Sequence, residues 1–78
     1  MTVKVYSTPN CPWCTLAKDF LKENNIEFES IDVTQDQEAL DRVVEKTGQI
    51  GVPVIEIDGR FVIGFDKPEL AEIFKIKI

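Results

Sequence analysis

The spacing of apolar residues changes within the first 21 residues, from every second position to every third or fourth. Val3 and Val5 alternate with polar neighbours, which is typical of a strand with one buried face. A helical stripe with the spacing i, i+3, i+4, i+7, i+8 follows: Trp13, Leu16, Ala17, Phe20 and Leu21. A strand that leads directly into a helix predicts a β-α-β unit with parallel strands and a right-handed crossover.

The middle of the chain predicts a second strand and a second helix. The strand covers residues 26–33. We expect the helix to begin at a capping box formed by Thr34 and Gln37 and to end near Gly48. Four apolar residues at helical spacing would form its inner face: Ala39, Leu40, Val43 and Val44.

The last third of the chain predicts a hairpin and a third helix. Asp58-Gly59 separates the apolar runs 53–57 and 60–63, and this dipeptide is a strong hairpin signal. Pro68 then suits the first turn of a short helix. The tail of residues 75–78 fits either a frayed end or a packed one. The order is therefore β-α-β-α-β-β-α, in a four-stranded mixed sheet with the first and third helices on one face and the second on the other.

Length and charge limit the functions open to this α/β domain. The 78 residues make one domain, residues 1–78. Because Lys and Arg number 9 against 14 Asp and Glu, the net charge is −5. This argues against nucleic acid and an anionic membrane as partners. No apolar segment long enough to cross a bilayer and no signal peptide is evident, so we expect a cytoplasmic protein.

The two cysteines are the strongest nucleophiles in a chain that has no histidine. Cys11 and Cys14 stand where the first helix begins, and helix N-termini offer free N–H groups and positive partial charge. We therefore expect the pKa of Cys11 to lie below about 8.5, the usual value of a thiol. Residues three apart on a helix are about 5–6 Å apart, which suits a disulfide. The spacing predicts Cys11 as the nucleophile and Cys14 as the resolving thiol.

Three other interpretations of the cysteine pair compete with redox chemistry. A structural disulfide across so short a loop would add little stability. A closed zinc site needs four ligands, and the chain has no third cysteine and no histidine. Inert buried thiols are the third alternative. Redox chemistry is the interpretation that the residues favour.

Two further segments could form part of a substrate groove. A cis bond between Val52 and Pro53 would expose the Val52 backbone to an extended substrate, although a trans proline at a strand start is the commoner state. Gly64, Phe65 and Asp66 precede the third helix, whose free N–H groups could hold a carboxylate. Asp66 as an ordinary N-cap is the alternative.

Three side chains near the cysteines each have a functional and a structural interpretation. Trp13 is either a docking surface or a packed member of the helical stripe. Tyr6 is either the rim of a substrate groove or half-buried. Lys18, one turn after Cys14, either adds positive potential or is simply solvated.

On these residues the chain resembles the glutaredoxins, within the thioredoxin-fold superfamily. The resemblance rests on Val-Tyr-Ser-Thr-Pro-Asn-Cys-Pro-Trp-Cys at 5–14, Gly-Val-Pro-Val at 51–54 and Gly-Phe-Asp at 64–66. It implies a thioredoxin-like (glutaredoxin) fold, a cis Pro53, and dithiol oxidoreductase activity on protein or glutathione mixed disulfides. It also implies a substrate or glutathione groove, which would include Tyr6, Thr8, Pro12, Trp13, Val52, Pro53, Gly64, Phe65 and Asp66.

The chain departs from the common glutaredoxin pattern at four positions. Thr8 stands where a lysine often meets the glutathione carboxylate, and Trp13 replaces a tyrosine. Gly51 replaces a threonine, and Phe65 replaces the second of two glycines. The Gly-Phe pair resembles small redoxins that thioredoxin reductase reduces, some of which donate electrons to ribonucleotide reductase.

The resemblance also implies which partners and cofactors to expect. We expect a monomer without a tightly bound cofactor or metal, with glutathione as a possible co-substrate. Its partners would be disulfide-bearing proteins, a peroxidase among the candidates, and either glutathione or a flavoprotein reductase. A dimer bridged by an iron–sulfur cluster or by zinc is the alternative from another class. Pro12 argues against the cluster, since it usually discourages one in this family.

Overall fold

The computed structural model describes residues 2–49 and 51–76, and its elements follow the predicted order. The strands are β1 (Val3–Ser7), β2 (Glu29–Asp32), β3 (Val54–Ile57) and β4 (Arg60–Ile63), and the helices are α1 (Pro12–Glu23), α2 (Gln37–Thr47) and α3 (Lys67–Phe74). The sheet order is β2-β1-β3-β4. β1 runs parallel to β2 and antiparallel to β3, which pairs with β4. The predicted thioredoxin-like fold class is confirmed.

The sheet separates two apolar layers, as the alternation in β1 predicts. Val3 and Val5 pack with α1 and α3, whereas Tyr6 faces α2. The larger layer contains Val3, Val5, Ala17, Phe20, Leu21, Ile55, Ile57, Val62 and Leu70. The smaller layer contains Tyr6, Val33, Ala39, Val43 and Val54. The predicted placement of the three helices is therefore confirmed.

Local signals correctly predicted several element ends. Pro12 occupies the first turn of α1, and Gly48 ends α2 with φ +75°. Asp58 and Gly59 both have positive φ and form the two-residue loop between Ile57 and Arg60. This loop matches the right-handed twist of a hairpin.

Two predicted boundaries were wrong. The second strand is Glu29–Asp32 rather than 26–33, because the backbone first leaves α1 through Asn25 at φ +56° and the Ile26 N–H still donates to Leu21. The N-cap of α2 is Asp36, whose side chain accepts from the Ala39 N–H.

Three apolar residues predicted to face the core are exposed. Trp13, Leu16 and Val44 are 61%, 47% and 37% exposed. Cys14 takes the buried position in the first turn of α1. The buried stripe is therefore rotated away from Leu16, and Trp13 lies beyond its end. The predicted tail lies partly outside the described residues, which end at residue 76, where Ile76 packs against the larger layer.

Candidate functional site

The cysteine pair lies at the junction between the loop after β1 and the start of α1. Cys11 is the N-cap residue, and its Sγ accepts a hydrogen bond from the Cys14 backbone N–H at 3.1 Å. The two sulfurs form a disulfide, with the Cα atoms 5.2 Å apart. The structure thus contains the N–H donor that would stabilise a Cys11 thiolate, because charged acceptors at a helix N-terminus are favoured.

The two cysteines differ in their access to solvent. Cys11 is half-buried, whereas Cys14 is only 1% exposed. An incoming disulfide can therefore reach the sulfur of Cys11 more easily than that of Cys14. This asymmetry matches the predicted division into an attacking and a resolving thiol.

An open groove of about 340 Å³ is lined by residues from three separate parts of the chain. These are Trp13, Val52, Pro53, Gly64 and Phe65. The Val52-Pro53 bond is cis. The family resemblance implied this conformation, whereas the local sequence alone favoured a trans bond. The Gly64 N–H donates to the Pro53 carbonyl at 2.7 Å, which joins the two loops that form one wall.

Gly64 and Phe65 have distinct roles in shaping that groove. Gly64 has φ +74°, a backbone conformation that side chains with a Cβ rarely adopt. The Phe65 ring meets the Phe20 ring of α1 edge-on at 5.8 Å, and the Lys67 ammonium lies 5.9 Å from the centre of the Phe20 ring. The wall of the groove is therefore held against α1.

Three other predicted site residues lie outside the lining of this groove. Pro12 is exposed in the first turn of α1. Asp66 is the N-cap of α3, and its carboxylate accepts from the Glu69 N–H at 3.2 Å. Thr8 lines a second depression, which also contains Cys14. Asp66 therefore has the structural role that the sequence offered as its alternative.

Tyr6 is a predicted site residue that the structure buries in the smaller apolar layer beneath α2, outside the lining of the groove. It is 1% exposed, and its hydroxyl donates to Glu56 Oε1 at 2.6 Å. Burial and this hydrogen bond raise the pKa of Tyr6 to about 12. The prediction that Tyr6 forms the groove rim is wrong, because the alternation of β1 turns it toward α2.

Sequence reasoning missed the polar network around Tyr6. Arg42 of α2 donates from Nε and Nη2 to Glu56, at 3.2 and 2.9 Å, and its guanidinium lies 5.6 Å from the centre of the Phe61 ring. The hydrogen bond from Arg42 holds the pKa of Glu56 below its ordinary value. The available signal was a glutamate between the apolar residues of β3, which places a carboxylate on a buried strand.

Comparison with known proteins decides the family. A family model described as glutaredoxin matches residues 3–62. The chain belongs to the glutaredoxin family. It is 41% identical to an uncharacterised glutaredoxin-like 8.6 kDa protein encoded in the rubredoxin operon of Clostridium pasteurianum, over 94% of this chain and 97% of that one.

Two further relatives of this glutaredoxin-family protein are close in length to it. The glutaredoxin-like protein NrdH of Lactococcus lactis is 37% identical, over 91% of this chain and 97% of the relative. A crystal structure of a variant of the thioredoxin-like protein BC3987 superposes with a TM-score of 0.90 at 36% identity and covers 97% of each chain. Because it belongs to this family and its two cysteines lie within disulfide distance of each other, the protein is a dithiol thiol–disulfide oxidoreductase.

Neither a metal-ion site nor a membrane-spanning helix is present in residues 2–49 and 51–76. Within these ranges no group of three or more Cys, Asp or Glu side chains is arranged to hold a metal ion. None of the helices in the same ranges has the length and apolar character needed to span a bilayer.

Proposed function

We propose that this glutaredoxin-family protein reduces disulfides of other proteins and is itself reduced by a flavoprotein disulfide reductase. Cys11 is the nucleophile, and Cys14 is the resolving thiol. The observation that carries the proposal is the groove beside the disulfide, because Trp13, Val52 and Phe65 make its surface apolar. Such a surface fits a side chain of a docked protein segment.

The reaction moves two electrons from the cysteine pair to the substrate. The Cys11 thiolate attacks one sulfur of the substrate disulfide and releases the first substrate thiolate, which leaves a mixed disulfide. Cys14 then loses its proton and attacks Cys11 Sγ, which releases the second substrate thiolate. Both substrate thiolates take up protons, and the Cys11–Cys14 disulfide of the structure is the oxidised product.

Charge favours a protein over glutathione as the electron donor. Glutathione carries two carboxylates and one ammonium group, and the residues that line the groove have no charged side chain to pair with them. Thr8 stands where the glutaredoxins that the sequence resembles often have a lysine, and the Asp66 carboxylate, which follows Phe65 in the chain, is negative and caps α3. An unpaired carboxylate that loses water on binding weakens the complex.

Glutathione is the second candidate donor, since the family model that matches the chain is the glutaredoxin model. In that case backbone N–H groups near Gly64 and Phe65 would have to replace the missing cation. The small redoxins that the sequence resembles make ribonucleotide reductase and peroxidases candidate targets in either case.

A reducing compartment suits this activity. Structural disulfides are rare in the cytosol because thiols there are kept reduced, so we place this reductase in the cytoplasm. We propose that it works as a monomer without a bound cofactor. A bridged iron–sulfur or zinc dimer would instead use the reduced cysteines as ligands, and formation of the Cys11–Cys14 disulfide would compete with it.

The test is NADPH consumption with insulin as the protein disulfide, in two coupled systems. One contains thioredoxin reductase, and the other contains glutathione and glutathione reductase. We expect turnover in the first system and its loss in Cys11→Ser. Turnover in the glutathione system alone would show that the proposed donor is wrong.

The variants test the two cysteine roles separately. Cys14→Ser should still attack and should accumulate a mixed disulfide that mass spectrometry detects. Substantial activity in Cys11→Ser, or absence of a Cys11 adduct in Cys14→Ser, would reverse the assignment.

A further inference from the structure

A second depression reaches the cysteine pair from the side of Cys14. Its volume is about 260 Å³, and its lining contains Ser7, Thr8, Pro9, Cys14, Thr15, Lys18, Ser30 and Asp32. The substrate groove of Trp13, Val52, Pro53, Gly64 and Phe65 shares none of these residues. Cys14 therefore lines a polar cavity that is separate from the substrate groove.

Lys18 is the one cation in the lining of this cavity. It is half-buried and follows Cys14 by four residues, so the two side chains lie on the same side of α1. Within residues 2–49 and 51–76, no carboxylate lies within ion-pair distance of the Lys18 ammonium. Its charge is therefore available to a neighbouring anion in the cavity.

The other charged group that faces the cavity is Asp32, at the end of β2. Its Oδ1 accepts from the backbone N–H and the hydroxyl of Thr34, at 2.9 and 2.6 Å. A negative carboxylate there would oppose ionisation of Cys14. Cys11 does not add to this effect, because its Sγ is uncharged in the mixed disulfide. Lys18 is the cation in the same lining that can offset the charge of Asp32 when the Cys14 thiolate forms.

We propose that Lys18 is a positioning residue for the second half of the reaction, where its ammonium stabilises the thiolate of Cys14. This inference rests on the proposed function, in which Cys14 resolves the mixed disulfide. Cys14 gives its proton to solvent, its thiolate bonds to Cys11 Sγ, and the Cys11–substrate bond breaks to release the substrate thiolate. Lys18 changes the fraction of Cys14 that is ionised, and it exchanges no electrons.

The experiment mixes the reduced protein with one equivalent of dithiodipyridine, a neutral disulfide, and measures the absorbance of the thione that it releases over time. The first thione reports attack by Cys11, and the second reports resolution by Cys14. We expect Lys18→Met to slow the second phase about tenfold at neutral pH, as a shift of about one pKa unit would. Its pH midpoint should move upward, while the first phase changes by less than about twofold.

Two matched variants separate charge from helix stability. Lys22→Met removes the same charge one turn further along α1, where Lys22 is exposed, and should leave both phases unchanged. Lys18→Arg should restore the second phase. An unchanged second phase in Lys18→Met, or an equal loss in Lys22→Met or in the first phase, would overturn the inference.

A direct titration distinguishes this inference from the proposed function. In Cys11→Ser, the ultraviolet absorbance of the thiolate gives the pKa of Cys14 without any turnover. Adding Lys18→Met should raise that pKa, and no change would overturn the role of Lys18. If the wild-type protein shows no second thione, the assignment of Cys14 fails, and this titration still decides the effect of Lys18.

Discussion

At the scale of single residues, Trp13 and Cys14 differ sharply in their exposure to solvent. The two are neighbours in α1, yet Trp13 is 61% exposed and Cys14 is 1% exposed. An exposed indole beside a reactive sulfur adds little to folding, because its apolar surface remains in water. The same surface can be buried when a partner protein docks.

Trp13→Ala should therefore weaken substrate recognition and leave stability nearly intact. We expect KM for a protein disulfide to rise about tenfold, which is the usual scale for an exposed aromatic anchor at an interface. The unfolding midpoint should stay within a few degrees. Steady-state kinetics and thermal denaturation measure the two effects.

Leu16→Ala is the matched control, since Leu16 is also exposed on α1 and lies outside the groove of Trp13. It should leave KM unchanged. Equal KM effects in the two variants would contradict the specific role of Trp13.

At the scale of elements, the start of α2 shows how a single side chain selects between two possible caps. Asp36 has extended backbone angles and accepts from the Ala39 N–H at 3.1 Å. Thr34 instead donates its hydroxyl to Asp32, at the end of β2. Thr34 therefore belongs to the turn between β2 and α2, and the helix begins two residues later than the capping box predicts.

Asp36→Ala should lower the free energy of unfolding by about 1 kcal/mol, the usual effect of removing an N-cap. Asp36→Asn should keep most of the stability, because its amide oxygen can still accept the bond. Urea denaturation measures both. A larger loss in Thr34→Ala than in Asp36→Ala would favour the capping box of Thr34 and Gln37.

At the scale of the whole molecule, the network of Tyr6, Glu56 and Arg42 connects α2 to the centre of the sheet. Glu56 lies on β3 and is 7% exposed, and both its oxygens accept hydrogen bonds. Tyr6 lies on the neighbouring strand β1, and Arg42 reaches in from α2. A carboxylate at this depth requires such partners, since an unpaired buried charge is strongly unfavourable.

The network should make stability depend on pH at both ends of the scale. The Arg42 hydrogen bond lowers the pKa of Glu56 from its ordinary value of 4.5. The ionised Glu56 therefore stabilises the folded state above pH 4.5, and this stabilisation is lost as the pH falls through the folded-state pKa. Burial raises the pKa of Tyr6 from 10 to about 12. The protonated Tyr6 therefore stabilises the folded state fully below pH 10, and this stabilisation is lost as the pH rises toward 12. Urea midpoints measured across this range should form a plateau between the two limits.

Two variants show which residue causes the loss of stability at low pH and which causes the loss at high pH. Glu56→Gln should be less stable than the wild type at neutral pH, and the difference should shrink in acid, where the wild-type carboxyl is protonated. Tyr6→Phe should remove the part of the alkaline loss that Tyr6 causes. A difference between Glu56→Gln and the wild type that stays constant down to low pH would contradict the role of Glu56.

Features that depend on residues close in the chain were predictable from the sequence. The order of elements, the Asp58-Gly59 hairpin and the position of Cys11 and Cys14 at a helix start all follow from local periodicity and turn chemistry. The fold class followed from these, because short connections and right-handed crossovers leave few topologies. The family resemblance added the cis Pro53, which local reasoning did not favour.

Tertiary structure alone decided which distant residues share a surface. It placed Val52 and Phe65 beside Trp13, turned Tyr6 away from the groove and brought Lys18 and Asp32 into one cavity with Cys14. Periodicity shows which side chains share a face of an element, but not which distant side chains meet across it. Those contacts depend on how the helices pack on the two faces of the sheet, and for that reason the site could be read only in part before the fold was known.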